Sequence, residues 1–116
     1  VSQDYDFEIE QGTIVAKLIE VFVDGVAANL TNYGARLQAR EKLTDTVPVL
    51  DLDNDVLGGL TIDEGAGTIT LVLTPDQTAA LDFGMAEYNL EIFTVADAEV
   101  FRILRGFITL SKEFTR

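Results

Sequence analysis

Apolar and polar residues alternate along much of this chain. Between residues 33 and 40, Tyr33, Ala35, Leu37 and Ala39 take one side; Arg36, Gln38 and Arg40 take the other. That period of two marks a strand with one buried and one wet face. The same rhythm places Phe7 and Ile9 inward over residues 6–10. It also places Ile69, Leu71 and Leu73 inward over 68–73, and sets Tyr88, Leu90 and Ile92 in register over 86–94. Further strands are predicted at 33–43, 49–53, 60–63 and 99–110, with a brief one within 26–29. Pro48 directs the 49–53 strand to an edge, because proline has no N–H to donate.

Residues 13–23 form one long β-branched run of high strand propensity, ended by the hairpin-type pair Asp24 and Gly25. Both of its parities are largely apolar: Ile14, Ala16, Leu18 and Phe22 on one, Val15, Ile19, Val21 and Val23 on the other. One set faces the core. The other is either covered by the chain's own loops or termini, or forms a protein interface, since monomers seldom leave such patches bare. The expectation assigns Val15, Ile19, Val21 and Val23 to the interface.

One helix is predicted. Thr74 caps it, Pro75 suits its first position and Gln77 completes a capping box; Leu81 plugs one end of the core, and the helix stops at residues 82–84. In the last strand, Phe101 and Ile103 share one parity, whereas Leu104, Ile108 and Leu110 share the other. A β-bulge near residues 104–106 reconciles them; a strand buried on both faces is the rival account. Some seven or eight short strands with one short helix predict an all-β, antiparallel immunoglobulin-like sandwich. A partly closed barrel is the alternative. Residues 1–116 are read as a single domain, with residues 1–5 and 111–116 as arms able to add a strand to a neighbour.

Composition narrows the chemistry. The chain has 116 residues, no His, Cys or Trp, and a net charge of −12. Without Cys there are no disulfides or thiolate metal sites, and without His the commonest general base is missing. The negative field opposes binding to nucleic acid and to anionic membranes. No apolar run is long enough for a membrane helix, and residues 1–6 show no signal-peptide pattern, although a leader already removed stays open. Asp51, Asp53 and Asp55 suggest a calcium loop, yet Val56 and Ile62 stand where an EF-hand needs Gly and Glu, which leaves a solvated acidic loop as the expectation. Arg36, Arg40, Arg102 and Arg105 are expected to pair with surface carboxylates. No catalytic residue, cofactor or metal is predicted, and the chain is read as a non-enzyme.

Several segments together resemble a known group. They are YDFEIEQG at 5–12, LTNYGAR at 30–36 with QAR at 38–40, GTITLVLT at 67–74 and QTAAL at 77–81. YNLEI at 88–92, VFRILRG at 100–106 and SKEFTR at 111–116 complete the set. The chain resembles small structural proteins of tailed bacteriophages and prophages, and is similar to the β-sandwich N-terminal module of phage baseplate upper proteins. Asn89 departs from the acidic residue usual in that group. The resemblance implies a non-enzymatic virion protein without cofactor, located in the tail, neck or baseplate. Its partners would be copies of itself and other virion proteins. A capsid-decorating cement protein is one alternative; an extracellular carbohydrate- or calcium-binding adhesive module is another.

Overall fold

The computed structural model describes residues 3–23, 25–42, 44–94 and 98–112. In chain order the first elements are β1 (Gln3–Asp4), β2 (Phe7–Glu10), β3 (Val15–Glu20), β4 (Phe22–Val23), β5 (Val26–Ala27) and β6 (Gly34–Arg40). Then come β7 (Leu50–Asp53), β8 (Leu60–Asp63), β9 (Thr68–Leu73), α1 (Pro75–Ala79), β10 (Met85–Phe93) and β11 (Val100–Ser111). One sheet has the order β1-β11-β10-β6-β7, with β2 also on β11; the other has the order β3-β9-β8. Among the described residues, strands β4 and β5 pair only with each other. β3, β9 and β8 stand where strands B, E and D of an immunoglobulin domain stand, and β11, β10, β6 and β7 stand in the places of G, F, C and C′. The expected fold class is therefore the observed one.

The period-two reading explains the core. Ile9, Leu37, Ile69, Leu71, Tyr88, Leu90 and Ile108 are fully buried between the sheets. Arg36, Gln38 and Arg40 lie on the outer face of β6, opposite Glu91, Asn89 and Glu87 of β10. β7 is an edge strand, as expected, although Pro48 itself lies before it. β6 ends at Arg40, short of the expected residue 43, and Leu43 lies outside the described residues.

The first strand docks on the last. β1 and β2 run parallel to β11 at one register, with Gln3 opposite Leu104 and Phe7 opposite Ile108. Between them, Tyr5 N–H donates to Arg105 O at 2.8 Å, and Phe107 N–H donates to Asp6 Oδ1 at 2.9 Å. Gly106 permits this approach, because a Cβ there would fall on the Tyr5 carbonyl and lie 2.7 Å from Asp6 Oδ1. Of the two expected arms, Gln3 to Tyr5 is thus held against the chain's own β11; Val1, Ser2 and residues 113–116 lie outside the described residues.

The helix follows its sequence signals. Gln77 N–H donates to Thr74 Oγ1, and Thr74 N–H donates to Gln77 Oε1. Leu81 packs half-buried against the core. The fully buried side chain here is Thr78, whose hydroxyl donates to Thr13 O at 2.7 Å and accepts from Gly12 N–H at 3.0 Å.

Two expectations need correction. The run over 13–23 is interrupted at Val21, where its neighbour changes: Val21 N–H donates to Gly67 O, beside β9, while Val21 O accepts from Ala28 N–H, beside β5. The hairpin expected at Asp24 and Gly25 falls between β4 and β5; Gly25 has φ 80°, and Asp24 lies outside the described residues. The bulge of β11 sits at Ile103, earlier than expected, since Leu90 faces Leu104 while Glu91 faces Arg102. Gly106 does not mark the bulge; it makes room for the first strand.

Candidate functional site

A cleft of about 670 Å³ opens at the end of the sandwich away from α1. Its floor is core: Val21, Leu30 and Ile92 are all buried. One wall is the β4–β5 pair, which contributes Phe22, Val23 and Val26, all largely exposed. The other wall is Tyr33 with Phe101 and Ile103 of β11. The Tyr33 and Phe101 rings lie 6.5 Å apart and tilted by 51°. Arg102 and Asn29 are the polar side chains at its lining.

Local structure produces this opening. β3 leaves β9 at Val21 and continues as β4 along β5. The bulge places both Ile103 and Leu104 against the core, half-buried. On its far side Phe101 faces Ile92, which is buried. Phe101 itself remains 46% exposed at the cleft. Bulges commonly re-aim a side chain in this way beside functional surfaces. The result is a concave apolar surface with few polar groups, suited to receiving apolar side chains or an apolar ligand.

The four residues expected at an interface are divided by the structure. Val15 and Val21 are buried, Ile19 is half-buried against the core, and only Val23 is exposed, at the cleft. They do not form one outward face. The exposed set is the other parity, with Ile14, Leu18 and Phe22. Lys17 accounts for the reversal: it belongs to the inward parity, yet it sits on an edge strand with its Nζ 5.1 Å from the centre of the Phe7 ring. A charged residue pointing inward at an edge is a known way of guarding it, and it makes an inner face look like an outer one. The pairing register of β9, in which Ile69, Leu71 and Leu73 lie opposite Ile19, Lys17 and Val15, carries the missing signal.

Of the four arginines expected to pair with carboxylates, Arg36 and Arg105 do so, while Arg102 lines the cleft. Arg36 Nε donates to Glu91 Oε1 at 2.9 Å, and Arg105 Nε to Asp4 Oδ1 at 2.8 Å. The hydrogen bond and charge of Asp4 raise the Arg105 pKa. Arg40 Nε instead donates to the Asp45 backbone carbonyl. In the acidic loop, Asp53 Oδ1 accepts N–H bonds from Asp55, Leu57 and Gly58, so this carboxylate organises the turn. Among the described residues no group of three or more His, Cys, Asp or Glu side chains could hold a metal ion. No helix among them is long and apolar enough to cross a membrane.

No protein-family model matches the chain, and no curated protein matches it.

Proposed function

We propose that this chain is a non-enzymatic structural protein of a bacteriophage virion, an assembly and docking module of the tail, neck or baseplate. The observation that carries the reading is the apolar cleft, with Phe22, Val23, Val26 and Phe101 held open at one end of a body of net charge −12. Apolar surface gains about 25 cal/mol per Å² when a partner removes it from water. The net negative charge of the body opposes the approach of unrelated anionic molecules. The sequence resemblance supplies the setting: many copies on a symmetric particle, meeting one another and other virion proteins. No cofactor, membrane or nucleic acid enters this role.

Quantitative mass spectrometry of gradient-purified particles from the encoding phage or prophage, with heads and tails separated, tests it. The chain is expected at fixed stoichiometry in the tail fraction. A Val26→Asp variant that keeps the wild-type circular dichroism spectrum is expected to be missing from particles. Absence of the wild-type chain from particles defeats the proposal; recovery with heads alone moves the role to capsid decoration.

A further inference from the structure

The β3–β4 run has a free edge. Because Val21 bonds to Gly67 and Ala28, antiparallel alternation points the backbone groups of Val15, Lys17, Ile19 and Val21 towards β9 and β5. Those of Ala16, Leu18, Glu20 and Phe22 point the other way, where no strand pairs among the described residues. In an immunoglobulin domain strand A closes this side; here the first strand lies on β11. The side chains at the open edge are apolar at a four-residue spacing. Ile14 is 65% exposed, Leu18 64% and Phe22 57%.

We propose that this edge is a homodimer interface, in which β3 pairs antiparallel with the partner's β3 across a two-fold axis at Leu18. The segment is self-complementary in that register. Leu18 faces the partner's Leu18, Ile14 faces the partner's Phe22, and Ala16 faces the partner's Glu20. Each is a hydrogen-bonded pair that exchanges both backbone bonds, which satisfies the groups now directed at solvent. Moving the axis to Lys17 sets Ile14 against the partner's Glu20, and moving it to Ile19 sets Leu18 there.

Self-complementarity, rather than charge, names a second copy as the occupant. Residues 13–23 hold one Lys and one Glu, but Glu8 and Glu10 border residues 13–17, so two copies repel there until salt screens them. Lys17 clears the edge, because its Nζ lies beneath the sheet near the Tyr5 and Phe7 rings and donates to Tyr5 Oη at 3.3 Å. Three apolar side chains and one strand edge fall short of the roughly 1,200 Å² of a stable specific interface. The dimer is accordingly concentration-dependent, and it stands whether or not the cleft docks a virion protein.

Sedimentation equilibrium from micromolar to about 1 mM, the weak end of specific association, tests this. The mean mass should rise from 12.7 kDa towards twice that value, and more so as salt screens the repulsion. Leu18→Lys, which opposes two like charges at the axis, should stay monomeric with an unchanged melting temperature. The native chain has no Cys, so single cysteines report the register. Leu18→Cys should oxidise to a linked dimer alone, whereas Ile14→Cys and Phe22→Cys should link only when mixed. A monomer throughout, a dimer indifferent to Leu18→Lys, or Ile14→Cys linking to itself as fast as to Phe22→Cys overturns the proposal.

Discussion

The two sheets of this sandwich treat their edges in opposite ways. At β11 the edge is closed by the chain's own first strand, with Gly106 admitting the Tyr5 carbonyl and Asp6 supplying an acceptor to Phe107 N–H. At β3 no strand pairs with the other edge among the described residues, with exposed Leu18 on its outer face and Lys17 guarding its inner face. The first described strand pairs with β11, and no described strand lies on the other side of β3. The contrast teaches that closure rests on local details absent at β3: a missing Cβ, a side-chain acceptor and a tyrosine hydroxyl. Tyr88 reaches across to donate that hydroxyl to Tyr5 O, and its ring packs edge-on to Phe7 at 5.3 Å.

Substitutions on the two sides should therefore differ in size. The largest effect is expected from Gly106→Ala. Its Cβ meets backbone, so the first strand must shift or leave, at a cost of about 3 kcal/mol. Urea unfolding should show the loss, and amide exchange should show lost protection at Tyr5 and Phe107. A stability change within error would show that the closed side yields as easily as the open one.

Tyr88→Phe comes next. It removes one hydrogen bond and leaves Tyr5 O with less satisfaction, a loss of about 1–2 kcal/mol at neutral pH. Burial first, then the nearby Tyr5 and Asp6, raise the Tyr88 pKa above its ordinary value of 10.0. A raised folded-state value means that the contribution is fully present below pH 10 and declines as pH rises further, because the unfolded chain ionises first. Melting curves from pH 8 to 11 should thus fall more steeply for the wild type than for Tyr88→Phe. Parallel curves would remove Tyr88 from the alkaline transition.

The smallest effect belongs to the open side. Leu18→Thr exchanges an exposed apolar side chain for one that matches Thr70, its neighbour on β9. Monomer stability measured by dilute urea titration should change by no more than about 0.5 kcal/mol. A loss comparable to that of Gly106→Ala would mean that Leu18 supports the fold itself.

Features carried by neighbouring residues are legible in the sequence alone. The capping box of Thr74 and Gln77 involves four consecutive positions, so its hydrogen bonds are local. The inward sets of β9 and β10 stand out because polar residues occupy most of their alternate positions. β3 has apolar residues on both parities, and its facing depends on a register with β9, a strand about fifty positions further along the chain. The bulge at Ile103 is detectable as a parity conflict, but its position appears only in the pairing with β10, where Leu90 faces Leu104 and Glu91 faces Arg102. The cleft is less legible still. Its walls come from β4, β5 and β11, and its lining looks like ordinary core sequence.

The amino-acid sequence by itself determined most of the strands, the capped helix, the net negative charge and the two-layer class, because period, propensity and capping act between residues close in the chain. Only the tertiary structure decided which parity of residues 13–23 is buried, that the first strand closes β11 and leaves β3 open, and that apolar side chains converge at one end. Those outcomes depend on pairing between distant segments, where several registers satisfy the same local pattern and packing of the whole core selects one.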